Sequence, residues 1–160
     1  MKITFIAHSA FLVEWDKFYT LFDYVYEPDY TGTLPPLDPQ KPLLVFSSHS
    51  HEDHFDGKVF GLLEQYPLTQ FFVSRDTRLT ERRRKWLGIS DEAFARTTVL
   101  RPDSILLTEA AGGELSVRAI KSTDIGNAYL LRAEGKMVYH GGDLNWWHWE
   151  SEGKAYCNNM

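Results

Sequence analysis

The stretch His49-Ser50-His51-Glu52-Asp53-His54 follows directly on the apolar run Leu43–Ser47. A continuous apolar run of this length is typical of a strand buried on both faces. Residues two apart in an extended chain point the same way, so His49 and His51 are expected to reach one ion. If the chain then turns into a helix, Asp53 and His54 face a second ion. Because imidazole and carboxylate suit Zn, Fe or Mn, we predict a metal site at this strand end.

Short strands dominate the rest of the pattern. A proline-rich loop at residues 24–42 has too many prolines for regular hydrogen bonding, and we expect it to shape a substrate pocket. Along the chain, a meander of strands is followed by a strand–helix–strand unit and then by further strands. This order predicts layered α/β sheets. The predicted strands are residues 3–7, 10–15, 18–22, 43–47, 69–73, 105–108, 115–121, 128–133 and 137–139, and the predicted helices are residues 55–66, 76–87 and 91–96.

Length and composition narrow the class of protein. The 160 residues suit a single domain, and the net charge of −5 argues against a general nucleic-acid or anionic-membrane partner. The lone Cys157 allows no intrachain disulfide. The first apolar run is broken at His8, too early for a signal peptide or a membrane span, so we expect a cytoplasmic protein.

H-x-H-x-D-H after an apolar strand is the hallmark of the metallo-β-lactamase superfamily, and the chain resembles its lactonase-like branch. The segment from Ala7 to Glu14, AHSAFLVE, is similar to that branch's "GHSxFL(I/V)E". Residues 21–24, LFDY, are similar to "LIDP", and residues 139–143, YHGGD, to "YHAGD". Gly57 also fits the family loop, and these matches run in the family's order from residue 5 to about residue 145.

The resemblance implies an αβ/βα sandwich and a hydrolase that uses a metal-bound hydroxide on a small ester, lactone or phosphorylated metabolite. It implies two divalent ions, Zn first and Mn or Fe next, with Asp143 bridging them and Asp53 both holding a metal and orienting the hydroxide. His8 is expected at the mouth of the site, where it either lines the pocket and supports the metal ligands or is a plain structural residue after the strand. For Asp23 and His140, support of a ligating imidazole and a plain turn or strand-end role both stay open.

Two departures from the family pattern bear on whether the set of metal ligands and the sandwich fold are complete in this chain. The family has a histidine after the strand at residues 115–121, whereas this chain has Asp124, either a harder oxygen ligand or the start of a turn. The family's last histidine ligand lies beyond Asp143, so the second half of the sandwich is expected to be incomplete. Either the chain is truncated or a second copy covers the exposed edge. His148 is a weak stand-in, within the aromatic patch at residues 146–149 that would also shape the pocket.

Alternative functions remain open. A degenerate member that binds a metal or ligand without turnover fits the missing histidines. A metal-dependent phosphodiesterase or nuclease is a further alternative, based on Arg82-Arg83-Arg84-Lys85 in the predicted helix. Because Glu81 is spaced to pair with Lys85 and the whole chain is acidic, a solvated helix face is the favoured interpretation of this run.

Overall fold

The computed structural model describes residues 1–109 and 114–144. Within these ranges the chain forms ten strands in two sheets. The first sheet holds β1 (Lys2–Ala7), β2 (Ala10–Glu14), β3 (Tyr19–Phe22), β4 (Leu43–Ser47), β5 (Thr69–Ser74) and β6 (Thr97–Leu100). The second holds β7 (Ile105–Thr108), β8 (Leu115–Lys121), β9 (Asn127–Ala133) and β10 (Lys136–His140).

Strand direction changes within the first sheet. Its strands lie in sequence order; β1 to β3 are antiparallel, and β3 to β6 pair in parallel. The second sheet is antiparallel throughout, in the order β10-β9-β8-β7. The carboxyl ends of β3, β4 and β5 therefore meet at one edge, where α/β folds commonly bind ligands.

Two hydrophobic cores flank the first sheet. Alternate residues of β4 point to opposite faces, so Leu43 and Val45 pack with the helices while Leu44 and Phe46 face the second sheet. The core between the sheets is completed by inward residues of β8 and β9, such as Val117 and Leu131. This arrangement of one helical layer and two sheets confirms the predicted layered α/β class.

Among the described residues, three short α-helices lie between β4 and β6 along the chain: α1 (Leu62–Gln65), α2 (Glu81–Trp86) and α3 (Asp91–Ala95). The predicted helix at residues 55–66 was too long. Phe55 N–H still bonds to the His51 carbonyl oxygen, in the loop at residues 48–55 that we call the histidine loop, and Asp56 caps a 3₁₀ turn, Gly57–Gly61. The predicted helix at residues 76–87 was wrong in its first half. Arg78 adopts φ 48°, which ends the 3₁₀ turn Arg75–Thr77, and Thr80 caps a new start at Glu81.

Strand β6 was missed altogether. Its sequence is Thr-Thr-Val-Leu, and Val99 at this sheet edge is 45% exposed, so the pattern lacks the buried alternation that identifies a strand. The other predicted strands agree with the structure to within one residue at each end. In the part of the chain that is described, no helix is long and apolar enough to cross a membrane.

Candidate metal centre

The histidine loop is fixed by backbone hydrogen bonds to its neighbours. Asn127 N–H donates to the Ser48 carbonyl oxygen at 2.9 Å, which ties the loop to the second sheet. Ser50 N–H donates to Asp76 Oδ2 at 2.8 Å, just after β5. The N–H groups of His54 and Phe55 both donate to the His51 carbonyl oxygen, which closes a tight turn. The predicted ligands are thus held on a rigid loop at the end of β4.

A first group of possible ligands contains His49, His51, Asp124 and Asp143, whose nearest ligand atoms lie within 4.8 Å of one another. His49 Nε2 lies 3.0 Å from His51 Nδ1. Asp124 Oδ2 lies 3.6 Å from that same His51 nitrogen, so the structure brings Asp124 to the two histidines. The group draws on both sheets, because Asp124 and Asp143 follow β8 and β10.

A second group contains His8, Asp53 and His54. His8 Nε2 lies 3.0 Å from Asp53 Oδ2, and His54 Nε2 lies 3.4 Å from that oxygen. His8 adopts φ 47°, a left-handed conformation that is strained in a residue other than glycine. All three residues belong to the half of the chain that forms the first sheet.

Asp143 joins the two groups. Its Oδ1 lies 3.2 Å from His54 Nε2, and its Oδ2 lies 3.7 Å from His49 Nε2. Gly142 precedes it with φ 51°, and a Cβ there would meet the Ser48 side chain at 2.8 Å. Glycine is needed here because any side chain would clash with the loop and push Asp143 out of place.

A buried polar network lies behind the second group. Asp23 is 1% exposed and accepts hydrogen bonds from Ser48 N–H at 2.7 Å and Ser48 Oγ at 2.7 Å. It also bonds His54 Nδ1 at 2.8 Å and His140 Nε2 at 2.7 Å. Between the two roles that the sequence left open, these contacts support Asp23 as the orienting partner of His54, with His140 held on the same carboxylate.

The surroundings of the His54 Nε2 atom show whether these residues fit a metal. His54 Nδ1 is held by Asp23, which leaves Nε2 to face the two carboxylates of Asp53 and Asp143. This Nε2 atom is fully buried and has no hydrogen-bond partner. A buried ring nitrogen beside two carboxylates costs free energy unless a cation is present. The donor set of imidazoles and carboxylates therefore fits divalent Zn, Mn or Fe.

The pKa directions agree with a site built for positive charge. Burial alone would raise the pKa of Asp23, but the charges and hydrogen bonds of His140 and His54 hold it well below its usual range. Burial alone would lower the pKa of His54, yet Asp23 and then Asp143 and Asp53 raise it. Burial lowers the pKa of His49, and the nearby His54 lowers it further. This lowered pKa favours the neutral form of His49, which is the form in which an imidazole binds a metal.

Three residues of the site went unnoticed in the sequence. Ser48 Oγ lies 3.0 Å from His49 Nδ1 and bonds Asp23, so one hydroxyl links both groups. Asp76, predicted only as a helix start, holds the loop through Ser50. Gly126, with φ 76°, lets the β8–β9 turn approach Ser48 so closely that a Cβ would lie 2.3 Å from its carbonyl oxygen. Only the glycine carried a sequence signal, because a glycine between two predicted strands is typical of a turn.

The candidate ligand His148 and the aromatic patch at residues 146–149 lie outside the described residues, as does Cys157. The described candidates His8, His49, His51, Asp53, His54, Asp124 and Asp143 all converge on one edge between the sheets.

Comparison with known proteins agrees with this geometry. The family model described as a beta-lactamase superfamily domain matches residues 2–155. The chain belongs to the metallo-β-lactamase superfamily. A "UPF0173 metal-dependent hydrolase" from Opitutus terrae is similar, at 29% identity over 153 residues, which is 89% of this chain and 63% of that protein. The chain therefore spans less than two thirds of the length of this relative.

Two solved structures share the fold. The metallo hydrolase Igni18 from Ignicoccus hospitalis superposes with a TM-score of 0.62 at 22% identity, over 88% of this chain and 59% of that one. A possible metal-dependent hydrolase from Veillonella parvula gives 0.54 at 16% identity, over 90% and 63%. At these identities the likeness establishes the fold, and the substrate has to be argued from the site.

Proposed function

We propose that this chain is a metal-dependent hydrolase acting on a small ester, lactone or phosphorylated metabolite. The observation that carries the proposal is the pair of adjoining His/Asp groups joined through Asp143, with the buried His54 Nε2 turned into them. Superfamily membership and the name of the Opitutus relative support the same activity.

Two cation positions follow from the two groups. We assign His49, His51 and Asp124 to the first and His54, Asp53 and His8 to the second, with Asp143 shared. The first position has two imidazoles and a carboxylate in place of the superfamily's third histidine. This oxygen donor shifts the preference of that position from Zn toward Mn or Fe.

A bound divalent metal would lower the pKa of a water molecule toward about 7 and polarise the scissile group. The protein's own part is to place charge and protons. Asp53, held by His8 through a 3.0 Å contact, is positioned to accept a hydrogen bond from the attacking water and orient it. Asp23 fixes the His54 ring and keeps Nδ1–H occupied, so Nε2 stays free to ligate.

The substrate would enter beside the proline-rich loop. Tyr30 of this loop packs on His8, with ring centroids 5.0 Å apart. The loop is also braced from inside, where Tyr24 OH donates to the Gly32 carbonyl oxygen at 3.2 Å. A fixed wall next to His8 suits a small substrate whose reacting group lies at Asp53.

Metal analysis with a matched pair of variants tests the proposal. Chelator-treated protein is reconstituted with Zn, Mn or Fe(II), the bound metal is measured by mass spectrometry, and hydrolysis of ester, lactone and phosphorylated substrates is followed. We expect about two ions per chain in wild type, with His51→Ala losing at least one and about a hundredfold in turnover. Glu52→Ala is the control, because Glu52 is an exposed carboxylate of the same loop outside both groups.

Each other outcome decides against the proposal in a particular way. Absence of bound metal after reconstitution would remove its basis. Metal binding without turnover would identify a non-catalytic binding member, and cleavage of phosphodiesters alone would identify a nuclease. Equal losses in Glu52→Ala and His51→Ala would show that the loop's stability, and not ligation, is being measured.

A further inference from the structure

The surface of α2 carries an open cavity of about 590 Å³ lined by Arg78, Thr80, Arg82, Arg83 and Trp86. We call it the arginine–tryptophan cavity. It lies apart from the residues of the candidate metal centre. Three guanidinium groups and one indole lining a single cavity need a physical explanation beyond solubility.

The acidic neighbours of α2 are engaged by other cations. Glu81 accepts two hydrogen bonds of 2.6 Å from Arg84 and pairs with Lys85 at 3.3 Å, as its spacing predicted. Asp91 also pairs with Arg84. In residues 1–109 and 114–144, no ion pair is formed by Arg78, Arg82 or Arg83. Within the basic segment at residues 82–85, Arg84 and Lys85 are thus paired with acidic residues, whereas Arg82 and Arg83 line the cavity.

One of these guanidiniums is partly desolvated. Arg83 is half-buried, and its Nε atom is fully buried with no hydrogen-bond acceptor in the described part of the chain. Partial desolvation of a guanidinium costs free energy, and an anion bound at its terminal nitrogens would offset that cost.

Trp86 supplies an apolar surface beside these charges. Its side chain is 81% exposed, the largest exposure among the large hydrophobic side chains of the described residues. It stands three and four residues after Arg83 and Arg82, so the three side chains share one face of α2. An exposed indole next to guanidiniums suits a ligand that has both a flat ring and a negative charge.

The backbone holds this face in place. Thr80 Oγ1 accepts from Arg83 N–H at 3.3 Å and caps α2. Arg78 keeps a left-handed backbone at φ 48°, and such strain in an arginine is often retained where it positions a side chain for a ligand. Asp76, two residues before Arg78, accepts a hydrogen bond from Ser50 N–H, so the segment that carries Arg78 is also tied to the loop that follows β4.

We propose that the arginine–tryptophan cavity binds a small aromatic phosphate, with its ring on Trp86 and its phosphate oxygens on the guanidiniums of Arg78, Arg82 and Arg83. Guanidinium forks match phosphate geometry, which favours this anion over a simple carboxylate. The net charge of −5 favours a small ligand over a nucleic-acid polymer. This site is independent of turnover at the candidate metal centre.

The test measures ligand binding to the whole chain after metal removal, so that phosphate cannot bind through a metal ion. Adenosine monophosphate, inorganic phosphate, adenosine and a short oligonucleotide are titrated by calorimetry. We expect saturable binding of adenosine monophosphate, and binding at least about tenfold weaker for either half alone. Trp86→Ala is expected to weaken binding roughly tenfold through lost stacking, and Arg82→Ala by a similar factor.

Lys85→Ala is the matched control, because it removes one positive charge from the same helix but does not line the cavity. We expect it to change the affinity by less than about twofold. Equal losses in Lys85→Ala and Arg82→Ala would overturn the proposal in favour of general charge attraction. No saturable binding, or binding of an oligonucleotide but not of the mononucleotide, would overturn it as well. Circular dichroism checks the folding of each variant.

Discussion

The two groups at the candidate metal centre are built in different ways. The first group, His49, His51, Asp124 and Asp143, takes residues from both sheets, and its two carboxylates are each more than a third exposed. The second group, His8, Asp53 and His54, comes from the first sheet's half, and its His54 is fully buried against Asp23. The first therefore depends on how the sheets pack, and the second depends on one buried carboxylate.

The two groups are therefore held in place by different kinds of contact. A group that spans two sheets keeps its geometry only while loops such as Gly126 against Ser48 stay in contact. A group anchored on a buried network is pre-organised before any ion arrives. Asp143 belongs to the first group but reaches His54 of the second, and so it is the residue through which both are perturbed at once.

The largest effect is expected for Asp143→Ala. It removes the carboxylate that lies between His49 and His54, so both positions lose a ligand and bound metal should fall from about two ions to well below one. Turnover should fall by at least about a thousandfold. Metal content and hydrolysis are compared with Asp16→Ala, an exposed aspartate in the turn between β2 and β3 that belongs to neither group. Retention of one full ion would show that the two positions are independent of each other.

The next largest effect is expected for Asp23→Asn, which perturbs the second group through His54 and leaves the first group's own residues unchanged. Removing the charge leaves His54 and His140 without their anionic partner in a buried site, and we expect a loss of about 3 kcal/mol in the free energy of unfolding. Metal affinity at the second position should fall about 10- to 100-fold. Urea unfolding of metal-free protein and metal titration measure the two effects.

Asp76→Asn makes the matching change at the carboxylate that holds the loop between His49 and His51. Asparagine keeps an oxygen that can accept from Ser50 N–H, so we expect a loss below about 1 kcal/mol. If both asparagine variants lose equal stability, the second group has no special dependence on its buried carboxylate.

Much of the candidate metal centre was predictable because most of its candidate ligands are close in sequence. His49 to His54 share one loop, and the apolar run of β4 locates the loop at a strand end. The layered α/β fold also follows from the pattern of strands and helices. The place of Asp143 was expected from resemblance, whereas Asp124 was left open between a ligand and a turn, since no local pattern says which turn of a second sheet faces the loop.

Other features depend on contacts between distant residues, which spacing does not encode. Ser48 is an ordinary serine in the sequence, and its role arises only because Asp23, His49 and His54 surround its hydroxyl. The helix break at Arg78 was missed because arginine is a good helix former, and a left-handed arginine reflects the surrounding structure more than its own preference. Strand β6 was missed because an exposed edge strand needs little hydrophobic alternation.

A smaller effect is expected for Asp124→His, which makes the first group more like the superfamily pattern. An imidazole in place of a carboxylate softens the position, so the ratio of Zn to Mn affinity should rise roughly tenfold. Competition titrations on reconstituted protein measure that ratio. Asp124→Asn is the control, since it keeps the size but lowers the charge and should weaken both metals. An unchanged ratio in Asp124→His would mean that Asp124 merely forms the turn after β8.

The smallest effect concerns the packing between the sheets on which the first group depends. Tyr129 of β9 is fully buried and donates its hydroxyl to the Ser47 carbonyl oxygen at 2.8 Å, at the end of β4. Burial raises the pKa of Tyr129 far above its ordinary value of 10.0. Above about pH 10 the unfolded chain ionises this tyrosine while the folded chain does not, so its contribution to stability is present below pH 10 and is lost as the pH rises.

In wild type this one group should therefore lower the free energy of unfolding by up to about 1.4 kcal/mol per pH unit above pH 10. Tyr129→Phe should lose about 1 kcal/mol at neutral pH through the missing hydrogen bond and should show a shallower decline in alkali. Urea unfolding between pH 8 and pH 11 compares the two slopes, and ionisation of the remaining tyrosines and lysines is common to both proteins. Parallel slopes would show that Tyr129 reaches solvent, in which case the contact between β9 and β4 is too loose to hold the first group together.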